Sequence, residues 1–254
     1  MVGPSFALIV FFGITLLLAL LAWPGVGVVP RLLRRSRLGE RVRLEDALKH
    51  VFMCQQSGQV CSLESLAGRL EVSTAQAALL LSRLAELGLL QMDGDGPVLK
   101  HDGVQTAVRI VRTHRLWERY LADRTGVPPI EWHDQAERME HSLSPEQTDR
   151  LESRLGHPSW DPHGDPIPDS EGVVAQHLHK NLLTCPIDTS LVVTRVMNQD
   201  ADFLRFLEQH ELKPGQAIKV IARDTSADSV SILSSGNHQV TIGTRAASKL
   251  LVEV

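Results

Sequence analysis

Apolar and polar positions along this chain follow three regimes, and the changes between them divide it into segments. Residues 5–23 (SFALIVFFGITLLLALLAW) are apolar without a break. As a helix rising about 1.5 Å per residue, that run is long enough to cross a hydrocarbon layer about 30 Å thick, and Pro24-Gly25 ends it. From Leu44 a helical period takes over: Ala47, Leu48, Val51 and Phe52 share one face, and the pattern stops at Ser57-Gly58. Ser62 opens a short helix, Ser73 is placed to cap another over residues 74–87, and Gly88 ends it. Residues 89–92 and 98–100 read as short strands around the turn Asp93-Gly94-Asp95-Gly96, which completes a winged helix-turn-helix pattern. Helical spacing returns over 106–125 and 132–143. Residues 156–168 (GHPSWDPHGDPIP) carry too much proline for a regular helix or a central strand. After Pro186 the period falls to two over 190–197, 217–221, 229–233 and 239–242, with one helix, 200–209, inserted. That is the pattern of a small β-barrel, and the fold class is α+β.

Charge changes this picture at one end. Residues 1–30 carry none, and between Arg31 and Arg43 six arginines stand against Glu40 alone, a local net of +5. With −4 for the whole chain, residues 44–254 carry −9, which argues against indiscriminate phosphate binding. A cleaved signal peptide needs a positive charge before its apolar stretch and a small-residue cleavage site after it, and neither is present. The expectation is a single-pass anchor in the cell membrane, with the N-terminus outside and the arginines and all that follows on the cytoplasmic side. Cys54, Cys61 and Cys185 form no CxxC pair and are read as reduced thiols.

Two helices put histidines and carboxylates at ligand spacing. His114 and Glu118 are four apart, and His133, Glu137, Glu140 and His141 fall at i, i+4, i+7 and i+8 on one stripe. The like charges of Glu137 and Glu140 repel unless a cation sits between them. Asp46, on the opening helix of the winged module, can complete such a site. Oxygen and imidazole donors suit Mn(II) or Fe(II), zinc is compatible, and a purely oxygen-bound calcium is disfavoured. His157, His163, His177 and His179 are read as structural or surface residues. No HExxH, no GxSxG and no Walker-type glycine loop occurs, so an enzyme is not expected.

Residues 113–121 (THRLWERYL), 133–141 (HDQAERMEH) and 162–168 (PHGDPIP) resemble the iron-dependent repressor family, in the family's order and over about residues 44–254. The resemblance divides the chain into an anchor (1–30), a basic juxtamembrane segment (31–43), a winged helix-turn-helix (44–108), an all-α metal-binding and dimerisation domain (109–185) and an SH3-like, FeoA-like barrel (186–254). It implies a homodimer that binds Mn(II) or Fe(II) and thereby orients two winged helices on a double-stranded DNA operator. Carried over residue by residue, one metal site falls on Asp46, Glu137, Glu140 and His141. A second falls on His114, Glu118 and His133, with Gln199 and Asp202 added from the barrel. Carboxylates at Asp46 and Glu137 look like the manganese arrangement, whereas the attached barrel is commoner among iron-responsive members.

For DNA, the outward stripe of helix 74–87 is Gln76, Leu79, Arg83 and Glu86, with Ser73 and Thr74 at its N-terminus and Arg69 nearby. Leu79 and Glu86 suit a phosphate surface poorly. The first expectation is a membrane-anchored, metal-dependent regulator of transcription with metal as corepressor. The alternative is a membrane-tethered metal sensor that regulates a metal transporter by protein contact without DNA.

Overall fold

The computed structural model describes residues 28–94, 96–175, 179–197 and 200–253, with side chains from residue 39 onward. It divides after Gly103 into two compact units.

The first unit is built on α1 (Val28–Gln56). Ala47, Leu48, Val51 and Phe52 are buried on the face that the sequence pattern marks. The helix ends where the Ser57 hydroxyl donates back to the carbonyls of Met53 (3.0 Å) and Cys54 (2.9 Å), and Gly58 follows at φ +67°. Its start at Val28 corrects the expected start at Leu44: the basic segment 31–43 is part of one continuous helix. α2 (Leu63–Leu70) is capped by Ser62, whose hydroxyl accepts from Ser65 N at 3.1 Å. α3 (Thr74–Glu86) starts in a reciprocal cap: Ser73 Oγ accepts from Gln76 N at 3.2 Å, and Gln76 Oε1 accepts from Ser73 N at 3.0 Å. Strands β1 (Leu90–Asp93) and β2 (Gly96–Leu99) pair antiparallel as the wing. The chain then enters α4 (His101–Arg124). A Cβ at Gly103 would lie 2.0 Å from the Leu89 carbonyl oxygen, so only glycine lets the helix start against the wing.

The second unit contains the rest of α4, with α5 (Pro129–Met139) and α6 (Pro145–Leu155). α4 buries Ala107, Ile110, Val111, Leu116 and Leu121. α5 is shorter than the expected helix 132–143, so Glu140 is its C-cap and His141 lies beyond it. α6 was not anticipated, although Ser144, Pro145 and Gln147 spell its N-terminus: Ser144 caps and Pro145 occupies the first turn. Buried Arg112 on α4 pairs with Asp149 (2.8 Å) and Glu152 (2.7 Å) on α6, and the Thr113 and Thr148 hydroxyls meet at 3.1 Å between them.

Beyond the proline-rich loop lie β3 (Lys180–Asn181), β4 (Ser190–Val196), α7 (Ala201–Gln209), β5 (Ala217–Asp224), β6 (Ser229–Ser234), β7 (Gln239–Gly243), α8 (Thr244–Ala247) and β8 (Leu250–Glu253). The strands form one antiparallel sheet in the order β3-β8-β4-β5-β6-β7 around a core that includes Leu191, Val193, Val220, Ile232, Leu250 and Val252. The expected closed barrel is corrected. The edge strands β3 and β7 do not pair with each other, and β3 is only two residues long, so the sheet stays open.

The expected membrane placement is also corrected. Among the described residues no helix is long and apolar enough to cross a membrane. The run 5–23 on which that expectation rested lies outside the described residues.

Candidate metal centre

The second unit gathers six of the expected ligands in one connected cluster. His114 and Glu118 stand one turn apart on α4, so both project from the same face. His114 Nε2 lies 3.1 Å from Glu118 Oε1 and 3.1 Å from Nδ1 of His133 on α5. His133 Nδ1 is 3.4 Å from the same Glu118 oxygen, and its Nε2 is 3.3 Å from Glu137 Oε1, one turn further along α5. The other ring nitrogen of His114, Nδ1, lies 2.5 Å from Glu140 Oε2, and Glu140 Oε1 is 3.4 Å from His141 Nε2. One imidazole therefore joins two carboxylate groups. Glu118 and Glu140 are 0 % and 1 % exposed.

The loop 157–168 adds a residue that the sequence reading set aside. His163 is buried, and its Nε2 lies 4.0 Å from Glu118 Oε1. Asp161 folds this loop on itself: its Oδ1 accepts from His163 N at 2.8 Å and from Asp165 N at 2.9 Å. Gly164, at φ +84°, lies so close to β4 that a Cβ would sit 1.9 Å from the Thr194 carbonyl oxygen. Val196 N then donates to the His163 carbonyl at 2.9 Å, and Asp165 pairs with Arg195. The signal for His163 was the stretch PHGDPIP itself, because loop residues show no period.

Electrostatics set the character of the cluster. Burial pushes the Glu118 carboxyl up, but hydrogen bonds from His114 and His133 and the charges of His114 and His163 outweigh it and hold it well below the usual carboxylate range. Burial lowers His133, yet its hydrogen bonds to Glu118 and Glu137 carry it up to about 9. Asp161 is raised by its burial and by the charges of Asp165 and Glu118, and burial lowers His163. The site is thus a buried concentration of negative charge in which imidazoles face the carboxylates and Arg115 adds positive charge near Asp161. Glu118 Oε2, Asp161 Oδ2 and His163 Nε2 are all buried without a hydrogen-bond partner. Such orphaned acceptors in an oxygen and imidazole set fit a divalent cation of the manganese or iron type.

Three further residues complete the expected ligand sets. Asp46 is half-buried on α1, in the first unit. Gln199 lies outside the described residues. Asp202 is in the first turn of α7, its side chain 89 % exposed and paired with Arg205 at 2.6 Å, and its carboxylate is not among the converging groups.

Of the expected DNA contacts, Arg69 is exposed on α2, while Ser73, Thr74, Gln76 and Arg83 are exposed at or on α3. Gln76 spends its amide oxygen on the helix cap, and Arg83 pairs with Glu86 at 2.8 Å. Leu79 is 70 % exposed between them.

Residues 100–169 match the family model described as iron dependent repressor, metal binding and dimerisation domain, and residues 180–254 match the FeoA domain. The chain is 28 % identical over 222 residues to the iron-dependent repressor IdeR of Mycobacterium leprae, covering 82 % of this chain and 96 % of that protein. Its structure is similar to that of a manganese-dependent transcriptional repressor in complex with manganese, at TM-score 0.75 and 32 % identity, over 82 % of this chain and 98 % of the other. It is also similar to ScaR with bound zinc, at TM-score 0.68 and 26 % identity, over 83 % and 98 %. Taken with the buried carboxylate and imidazole cluster on α4 and α5, these matches show that the chain belongs to the iron-dependent repressor family.

Proposed function

We propose that this protein is a metal-dependent repressor of transcription in metal homeostasis, acting as a homodimer with Mn(II) or Fe(II) as corepressor. The observation that carries this reading is the His114 bridge between buried Glu118 and Glu140. Two fully buried carboxylates on either side of one imidazole gain far more from a cation than from water, which does not reach them.

In this reading His114, Glu118 and His133 hold one ion, with His163 as a further donor, and Glu137, Glu140 and His141 hold another. The resemblance adds Asp46 to the second set. A bound ion supplies positive charge that permits these carboxylates to stay ionised together. Because the ion binds one arrangement of the protein better than the others, it shifts the population toward that arrangement. The donors are hard or intermediate, which favours manganese and ferrous iron over thiophilic ions, and zinc is compatible through the imidazoles.

The winged unit supplies the DNA contact. α3 presents Thr74 and Gln76 at its N-terminal end, where base edges are met, and Arg83 about two turns beyond Gln76. The test is fluorescence anisotropy of the full chain on genomic fragments selected for binding, with and without Mn(II) or Fe(II), at several salt concentrations. Binding that requires metal and weakens with salt is expected. Absence of metal-dependent binding at low salt contradicts the reading and leaves the α3 face around exposed Leu79 as a protein-contact surface.

A further inference from the structure

The first unit holds a second donor cluster of a different chemical kind. His50 and Cys54 stand one turn apart on α1, and Cys61 immediately precedes Ser62, the cap of α2. His50 Nε2 lies 3.6 Å from Cys54 Sγ, and the donor atoms of His50, Cys54 and Cys61 all fall within 4.8 Å of one another. Both thiols are buried, neither is in a disulfide, and His50 Nε2 also meets Ser65 Oγ at 2.8 Å. No residue of this set belongs to the carboxylate cluster of the second unit.

We propose that His50, Cys54 and Cys61 form a thiolate and imidazole site for Zn(II) within the winged unit, separate from the manganese or iron centre. Two sulfurs and one imidazole nitrogen match the donor preference of zinc, and the fourth position of a tetrahedral ion is left to water or the Ser65 hydroxyl. Binding exchanges one proton from each thiol for the metal, so two protons leave and two thiolates balance the ion's double charge. A neutral assembly is what a largely buried site tolerates, and it is indifferent to the nearby charge of Arg69. Burial and the charge of Arg69 lower His50, which keeps its imidazole neutral and able to ligate. Burial and the neighbouring Cys54 push the Cys61 thiol up to about 12, so without an ion Cys61 is protonated and slow to oxidise. The ion would tie the end of α1 to the start of α2, two of the three helices that shape the DNA-binding unit. The two sites select by donor softness: oxygen-rich for manganese or iron, sulfur-rich for zinc.

The test uses the full chain, reduced, stripped with chelator and kept anaerobic. Cd(II) and Co(II) are titrated while the sulfur-to-metal charge-transfer absorption is followed, and Zn(II) is then added in competition. About one equivalent of a sulfur-ligated ion is expected, and Zn(II) displaces Co(II) from it. The band persists in Cys185→Ser and Glu140→Gln and disappears in Cys61→Ser. His50→Gln, which alters a half-exposed side chain and leaves both thiols in place, is expected to weaken zinc binding at least about tenfold. No charge-transfer band in the wild-type chain at saturating Cd(II), or a band that survives Cys61→Ser, overturns the inference. Either result leaves the proposed repressor function standing, because that function rests on the other cluster.

Discussion

His114 and Glu140 are joined at 2.5 Å through Nδ1 and Oε2, both side chains buried, while the opposite ring nitrogen of the same histidine faces Glu118. The imidazole is therefore shared by two carboxylates that belong to different expected ligand sets. Replacing His114 with alanine should weaken both ions, each by at least about tenfold, because it removes a donor and the group that orients two others. Calorimetric titration with Mn(II) checks this. Replacement of exposed His157, which pairs with Glu152, should change neither ion, and an equal effect of the two substitutions would contradict the assignment.

Gly164 places His163. Its left-handed φ and its approach to the Thr194 carbonyl leave no room for a side chain. Gly164→Ala should cost about 2 kcal/mol in urea unfolding and should also reduce metal affinity by displacing the loop. His163→Ala should reduce metal affinity with a smaller loss of stability. If Gly164→Ala leaves both properties intact, the loop does not position the histidine as described.

Arg112 holds α6 against α4 through one largely buried carboxylate, Glu152, and one half-exposed, Asp149. Arg112→Ala should destabilise the fold by about 2–3 kcal/mol, at the lower end for breaking a buried pair because Asp149 is partly solvated. A change below about 0.5 kcal/mol in chemical denaturation would show that solvent replaces the pair.

On α3, Arg83→Ala should weaken DNA binding at all sequences and lower the slope of log affinity against log salt by about 1, the signature of a phosphate contact. A loss confined to one base position, with the slope unchanged, would instead make Arg83 a base reader.

These particular residues also show what sequence alone conveys. α3 was legible because Ser73 and Gln76 bracket its start and Ala77, Leu81 and Leu84 repeat at helical spacing. The convergence of the candidate ligands on α4 and α5 was legible for the same reason, since a helical period fixes which side chains share a face. α6 escaped because its outward face dominates: Leu151 and Leu155 are its only large apolar residues, and its cap was the sole cue. His163 escaped because its position depends on a loop pinned by Gly164 and Asp161, contacts that follow from tertiary packing rather than from spacing. Asp202 was expected near the metal by analogy of register, but α7 turns it to solvent beside Arg205. Closure of the sheet was overestimated because four alternating stretches suggest a barrel, whereas the short pairing of β3 leaves an open edge.

In the proposed function buried carboxylates on α4 and just after α5 hold a divalent ion, and metal titration of the chelator-stripped, anaerobic full chain reads this out without an intermediate step. Wild-type protein should take up Mn(II) or Fe(II) reversibly, and Glu118→Gln together with Glu140→Gln should abolish that uptake while circular dichroism stays native. Wild-type protein that binds neither ion, or a doubly substituted protein that binds as well as wild type, would contradict it.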